Sequence, residues 1–325
     1  MSEAASQQPP QPSGQAEVAD HRSGSAAIIG RPNVGKSTLL NVLVGEPLAI
    51  ATPKPGTTRL ALLGVHESTD PEGRRTQIAF YDTPGLERPR STLSRILIEE
   101  AKGVFDAVDV FILVVEAPDC SERCDLHPGD KRVLEMVEAL KKPIVLALNK
   151  VDRLYPKNKL LPLLAKLGED RRFSALVPIS ATQGIGIDGL IKEVRSHLGP
   201  GLMFPQETLT NRPMRFFVAE AVREAIFLET REEVPYGVGV VVSEWVDGPQ
   251  LTRIGVTIVV EKESHKGIVI GAQGQRIKRI GQSARQAIEK MIGRKVFLHT
   301  FVKVIEGWTE DPHKVRRIVC EGQLP

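Results

Sequence analysis

Residues 30–41 read GRPNVGKSTLLN. Gly30 is followed by four residues and then Gly35-Lys36-Ser37, the spacing of a phosphate-cradling loop. Glycines at 30 and 35 let backbone N–H groups approach phosphate oxygens that a Cβ would hold away. The apolar run SAAIIG (25–30) precedes the loop, and STLLNVLVG (37–45) follows with helical spacing. Strand, loop and helix in that order are the context this motif requires. The helix opening near Lys36 adds its positive end to the anion site. Residues Asn33, Val34, Gly35 and Thr38 surround the phosphates, Lys36 reaches the β- and γ-phosphates, and Ser37 offers a hydroxyl to Mg²⁺.

Outward from that loop, the pattern alternates. TQIAFYDTPG is a strand running into a turn; VDVFILVVEA and KPIVLALNKVD are continuously apolar, as buried parallel strands are. KRVLEMVEAL and IDGLIKEVRSHL have amphipathic helical spacing. Strands alternating with helices predict an α/β, doubly wound parallel sheet. The alternation ends near Leu198, and GPGLMFPQETLTNRP reads as a linker. A helix (MRFFVAEAVREAIFLE), two strands, a basic helical stretch and a last strand (KVFLHTFVKVI) follow. The boundary is placed near residue 202.

Three further motifs select the nucleotide. DTPG (82–85) follows a strand, so Asp82 is placed to hold Mg²⁺ through water and the Gly85 N–H to meet the γ-phosphate. NKVD (149–152) also follows a strand. Guanine presents N1–H and N2–H₂ donors on one edge, and the Asp152 carboxylate accepts both in charge-assisted bonds. Adenine has no such pair. Asn149 bolsters that pocket and the Lys150 stem covers the base. SAT (180–182) contributes Ser180 and the Ala181 N–H, which faces guanine O6. The motifs together predict a P-loop GTPase that binds GTP and GDP with Mg²⁺. PGTTR (55–59) lies where a switch loop belongs; Thr58 is the Mg²⁺ ligand there, with Thr57 the competing choice.

The chain has 325 residues, room for about two domains, and a net charge of only +3. Basic charge is nevertheless concentrated. Residues 262–303 hold ten Lys/Arg against two Asp/Glu, a local +8 that fits a phosphate-backbone footprint. Inside that segment Gly271-Ala272-Gln273-Gly274 precedes a helix with Ile277, Ile280, Ala284, Ile288 and Met291 on one face. A GxxG loop between helices is the KH signature: small residues let a nucleic-acid backbone pass close. Lys266, Arg276, Lys278 and Arg279 flank the loop as phosphate contacts.

Residues 1–25, rich in Gln, Pro, Ser and Ala, read as a disordered tail, and 309–325 as a C-terminal tail. The three cysteines form no disulfide framework, and a reducing cytoplasm fits them. Cys120, Cys124 and His127 match no complete metal-ligand set. The most apolar run, VFDAVDVFILVVEA, is interrupted by Asp106 and Asp109 and falls short of a membrane span.

Taken together, GRPNVGKSTLLN, DTPGL, NKVD, REEVPYGVGV and HKGIVIGAQGQRIKRIGQSARQAIEKMIGRKVFLHTFVKV resemble the Era family of bacterial ribosome-assembly GTPases over roughly residues 25–308. The resemblance implies a GTPase domain at 26–201 and an α+β, type II KH domain (αββααβ) at 202–308. GIVI, which pattern alone makes a strand, then becomes a short helix before the GxxG loop. It further implies a monomer that binds the 3′ end of small-subunit ribosomal RNA and assists 30S subunit assembly, with peripheral association at the inner face of the cell membrane. Thr210-Asn211 stands where the family commonly has Thr-Asp. Ras-like proteins carry a water-orienting Gln after the DxxG glycine; here Leu86 stands there. In GTPases with a similar PNVGKS loop, the residue at Asn33 helps to hold a potassium ion, which makes Asn33, Lys36 and Thr58 the catalytic candidates. A tRNA-modification GTPase would lack the GxxG segment, and an RNA-binding factor with a vestigial nucleotide site would not need Lys36, Ser37 and Asp82 intact.

Overall fold

The computed structural model describes residues 21–52, 54, 56–86, 91–118, 125–231 and 233–325. Residues 1–20 of the expected tail and the cysteines at 120 and 124 lie outside the described residues. His127, the remaining member of that trio, caps a helix by accepting from the Gly129 N–H at 3.0 Å.

Two sheets are seen among the described residues. The first contains β1 (Arg22–Ile29), β2 (Leu62–Thr69), β3 (Arg75–Asp82), β4 (Val110–Glu116), β5 (Ile144–Asn149) and β6 (Ala175–Pro178) in the order β2-β3-β1-β4-β5-β6. The two-residue strand β7 (Gly199–Pro200) pairs antiparallel with the start of β1. Residues 22–25 therefore correct the reading of 1–25 as a tail: they open β1, where β3 and β7 flank them and Ser23 and Ser25 are buried. β1, β3, β4, β5 and β6 are parallel, as their continuously apolar sequences predict. β2 departs from that expectation: it runs antiparallel to β3 at the sheet edge. The segment ESTDPEGRRTQ accounts for this, since Asp70 accepts from Glu72 and Arg74 and closes a tight hairpin.

Helices α1 (Lys36–Val44), α2 (Thr92–Lys102), α3 (Pro128–Glu138), α4 (Leu161–Gly168) and α5 (Ile187–Arg195) connect the strands. Leu39, Leu40 and Leu190 bury against one sheet face, and Val133, Leu134 and Leu163 against the other. The sheet is therefore doubly wound, and its ligand crevice lies at the carboxyl ends of the parallel strands.

The second sheet belongs to α6 (Met214–Glu229), β8 (Gly239–Asp247), β9 (Leu251–Val260), α7 (Glu263–Ile270), α8 (Gln275–Ile292) and β10 (Lys295–Val304), an αββααβ order. β9 is central, antiparallel to β8 and parallel to β10. GIVI is the end of α7, because Val269 buries into the core at helical spacing while Gly267 and Ile268 stay exposed. On α8, Ile280, Ala284 and Ile288 are buried as expected, whereas Met291 is exposed and Ile292 turns inward instead.

Residues 309–325 also correct the sequence reading. They are not a free tail: α9 (Pro312–Val315) and a wide helical turn at Arg316–Cys320 pack across the molecule. Trp308, Val315 and Ile318 are buried with Leu60, Leu93, Ile96 and Leu97 of the first sheet's elements and Val241 and Val259 of the second. The linker is also held, by Gln77 on the Met203 and Phe204 backbone and by the Val65 N–H on the Leu209 carbonyl. No described helix is long and apolar enough to cross a membrane.

Candidate functional site

The loop between β1 and α1 has the backbone its sequence requires. Gly30 and Gly35 stand at φ 149° and 100°, and a Cβ on Gly35 would collide with the Asn149 amide. Asn33 itself is left-handed at φ 63°. Lys36 is almost wholly buried, with its Nζ donating to the Arg31 carbonyl at 2.8 Å. Gly85 abuts Pro32 so closely that no side chain fits there.

Below the loop, three oxygens converge. The Ser37 and Thr58 hydroxyls lie 2.8 Å apart and donate to Asp82 Oδ2 at 2.7 and 3.0 Å. Asp82 is fully buried, and its Oδ1 has no hydrogen-bond partner among the described residues. Burial pushes its carboxyl pKa up, opposed by the Lys36 charge and the two hydroxyls. An orphaned buried carboxylate oxygen beside two hydroxyls is a fit for a hard divalent cation with oxygen ligands. Thr57 and Thr58 both line the cavity, and it is the Thr58 hydroxyl that meets Ser37 and Asp82. The Thr57 carbonyl is taken by Arg223 of α6.

The base end is organised by Asn149. Its Nδ2 donates to the Val34 carbonyl at 2.7 Å, and its Oδ1 accepts from the Ala181 N–H at 3.0 Å. One amide thus locks the phosphate loop to the SAT loop. Ser180 donates to Asp152 Oδ1 at 2.6 Å and orients that carboxylate. Lys150, at φ 67°, pairs with Glu116 at 2.9 Å.

A cavity of about 550 Å³ is lined by Asn33, Gly35, Lys36, Ser37, Thr38, Thr58, Gly85, Asn149, Lys150, Asp152 and Ala181. Val34, Asp82 and Ser180 stand behind that lining as buried supports. Sequence reasoning missed Glu116, which lines the cavity and pairs with Lys150 and, at 3.5 Å, with Arg153. The available signal was position: Glu116 is the first charge at the carboxyl end of an apolar parallel strand, where such sheets bind ligands. Leu86 is in the core, 4 % exposed, and its N–H donates to the Gly30 carbonyl.

Residues 54–59 are tied to the second sheet's elements. Arg59, 6 % exposed, donates to the Val238 carbonyl at 2.6 Å and the Tyr236 carbonyl at 2.7 Å. Burial, and next the neighbouring Arg223 charge, push its pKa down to about 9 against the pull of Glu220. Lys54 donates to the Thr230 carbonyl at 2.7 Å and to that of Phe227.

The GxxG loop sits between α7 and α8. Gly271, Gln273 and Gly274 all have positive φ, at 73°, 50° and 72°. A Cβ on Gly271 would strike Arg276. Ala272, Gln273 and Lys278 are exposed beside it. The other basic residues expected here have intramolecular partners: Arg276 donates to the Ile268 carbonyl, Arg279 pairs with Glu229 at 2.8 Å, and Lys266 with Glu263 at 3.7 Å.

Residues 25–150 match the family described as 50S ribosome-binding GTPase, and residues 233–309 match the KH domain family. The chain is 43% identical over 293 residues to the GTPase Era of Xanthomonas oryzae pv. oryzae, covering 90% of this chain and 94% of that one. It is 39% identical over 303 residues to that of Trichlorobacter lovleyi, covering 93% and 98%. Among solved structures, a single-substitution variant of Aquifex aeolicus Era bound to GDP·AlF₄⁻ superposes with a TM-score of 0.85 at 37% identity, over 92% of this chain and 99% of that one. Era in complex with MgGDPNP and nucleotides 1506–1542 of 16S ribosomal RNA superposes at 0.84 with the same identity and coverage. The phosphate-loop sheet, the αββααβ unit and likeness over nine-tenths of the chain agree: this protein belongs to the Era family of GTPases.

Proposed function

We propose that the chain hydrolyses GTP and uses the bound nucleotide to control its hold on the 3′ end of small-subunit ribosomal RNA during 30S assembly. The carrying observation is the convergence of Ser37, Thr58 and Asp82 at the floor of one cavity whose other end presents Asp152. In this reading Lys36 and the loop N–H groups hold the phosphates, while Ser37, Thr58 and Asp82 hold Mg²⁺. The ion neutralises charge on the β- and γ-phosphates. Asn149 keeps phosphate and base loops in register, and Asp152 selects guanine. The water-attack step depends mainly on positioning and electrostatics. Leu86 cannot orient a water, so Asn33 is assigned to hold a potassium ion whose charge acts as an arginine finger does elsewhere. The Gly271–Gly274 loop, with Lys278 beside it, receives the RNA backbone, a role that the complex of a relative with 16S RNA supports.

The base assignment is tested by Asp152→Asn. Xanthine has a C2 carbonyl where guanine has an amine, so an amide donor suits it. GTP affinity falls at least ~10-fold, as expected for losing charge-assisted bonds, and xanthosine triphosphate supports turnover. Unchanged GTP affinity in titrations of the variant removes Asp152 from the pocket.

A further inference from the structure

The strand β10 alternates between two faces, as strands do. Val296, Leu298, Val302 and Val304 join the core beneath α6 and α8. Phe297, His299 and Phe301 point to the opposite face of the sheet. That face is covered at one end, where Val241 and Val259 lie under Trp308, Val315 and Ile318. At the β10 end it is open. Phe297 is 56 % exposed and Phe301 52 %. Their rings line up with the imidazole between them, at centroid separations of 6.4 and 4.2 Å.

Such a row costs free energy in water unless it has a partner. The charges around it indicate which kind. Across the ladder Arg253 stands beside Phe297, and Lys303 continues the same face beyond Phe301. Neither has an ion-pair partner among the described residues. Lys295, at the other end, leans on Glu289 at 3.7 Å, and Glu244 covers Gly255 beside His299. The balance over Arg253, Lys295, Lys303 and Glu244 is positive. Flat aromatic rings on an open sheet with cations at the margins suit single-stranded nucleic acid: every base has a π-face, and the cations meet phosphates. β10 is also an edge strand, and α7, which leads into the GxxG loop, packs on it. An RNA strand leaving that loop meets this edge.

We propose that Phe297, His299 and Phe301, flanked by Arg253 and Lys303, form a base-stacking platform for single-stranded RNA that continues from the Gly271–Gly274 loop. This rests on the reading of the GxxG loop as an RNA clamp, and it adds a second surface on the other face of the sheet. Specificity there is low, because stacking tolerates any base.

The test uses the full-length protein loaded with a non-hydrolysable GTP analogue, and the 16S fragment 1506–1542 with nested deletions from each end. Phe297→Ala/Phe301→Ala weakens binding of the whole fragment at least ~30-fold, as expected for losing two stacking contacts. The slope of log affinity against log salt stays as in the wild type, because no phosphate contact is removed. One series of deletions abolishes the difference between variant and wild type. Phe297→Leu/Phe301→Leu, which keeps apolar bulk without a π-face, behaves like the alanine pair, so a loss of stability in the latter does not decide the result. In Phe301→Trp the indole fluorescence is quenched on adding RNA. Wild-type affinity in the leucine pair, while Ala272→Asp/Gln273→Asp fails to bind, overturns the platform and leaves the clamp standing. Wild-type affinity in both overturns the clamp and the platform together.

Discussion

Asn33 holds a left-handed backbone angle at the mouth of the phosphate cavity, a conformation that Asn tolerates better than most residues. If it holds a potassium ion, hydrolysis at saturating GTP and Mg²⁺ runs faster in potassium than in sodium at equal ionic strength. Asn33→Ala abolishes that difference, and Leu86→Ala changes turnover less. Equal rates in the two salts leave Asn33 as a shaper of the loop. A second residue, His66 on β2, carries a pH signal unconnected with catalysis. Burial lowers its pKa, opposed mainly by its bond to the Leu43 carbonyl, and its buried Nε2 has no hydrogen-bond partner among the described residues. The unfolded chain therefore takes up this proton first. Stability is full above the ordinary histidine pKa of about 6.5 and is lost as pH falls through the lower folded value. Denaturant titrations between pH 8 and 5 show this loss, and His66→Gln flattens it. Residues such as Lys36, Asp82 and Asp152 were legible in the sequence because each sits at a fixed offset from a glycine loop or strand end. His66 was not: its tautomer-dependent bond is made to a carbonyl 23 residues earlier, which no local spacing encodes.

At the scale of elements, the GxxG loop is defined by backbone shape more than by charge. Three positive φ angles bring the chain to a tight turn, and Ala272 and Gln273 are left outward. Ala272→Asp with Gln273→Asp places two carboxylates against the RNA backbone and abolishes RNA binding in a filter or anisotropy assay. GTP affinity is unchanged, because the nucleotide cavity is lined by other elements. RNA binding at wild-type affinity in that variant contradicts the clamp. The helix α7 shows where pattern reading reaches its limit. GIVI is four consecutive residues of strand-like composition, too short for a period to distinguish strand from helix. The packing of Val269 under β10 decides it. The hairpin of β2 and β3 shows the reverse: TQIAFYDTPG read plainly as a strand, but its antiparallel pairing with β2 depends on a turn held by Asp70.

Across the whole molecule, residues 54–59 are joined to α6 and the start of β8 by hydrogen bonds. Burying the Arg59 guanidinium costs several kcal/mol. Its carbonyl partners, each contributing about 1.5–3 kcal/mol for a charged donor, roughly offset that. Such an arrangement adds little net stability and fixes one geometry. Arg59→Ala therefore leaves GTP binding and RNA binding each within a few-fold of wild type. The ratio of RNA affinities measured with a GTP analogue and with GDP falls towards one. A ratio equal to wild type shows that coupling runs elsewhere. None of this seam was legible beforehand, since Arg59 and its acceptor at Val238 are separated by 179 residues. Hydrophobic periodicity marks a buried face without naming what buries it.

The packing of Trp308, Val315 and Ile318 between the two halves has a consequence for biosynthesis. These side chains are made after α1 to β10, so the nucleotide-binding sheet can fold on the ribosome while the wedge is still unmade. A nascent chain at that stage exposes Leu60, Leu93, Ile96 and Leu97, which the finished wedge covers. Synthesis of residues 308–318 thus adds this joint between nucleotide and RNA modules after both have been made. A chain not yet synthesised through residue 318 lacks the linkage that would let one site answer the other.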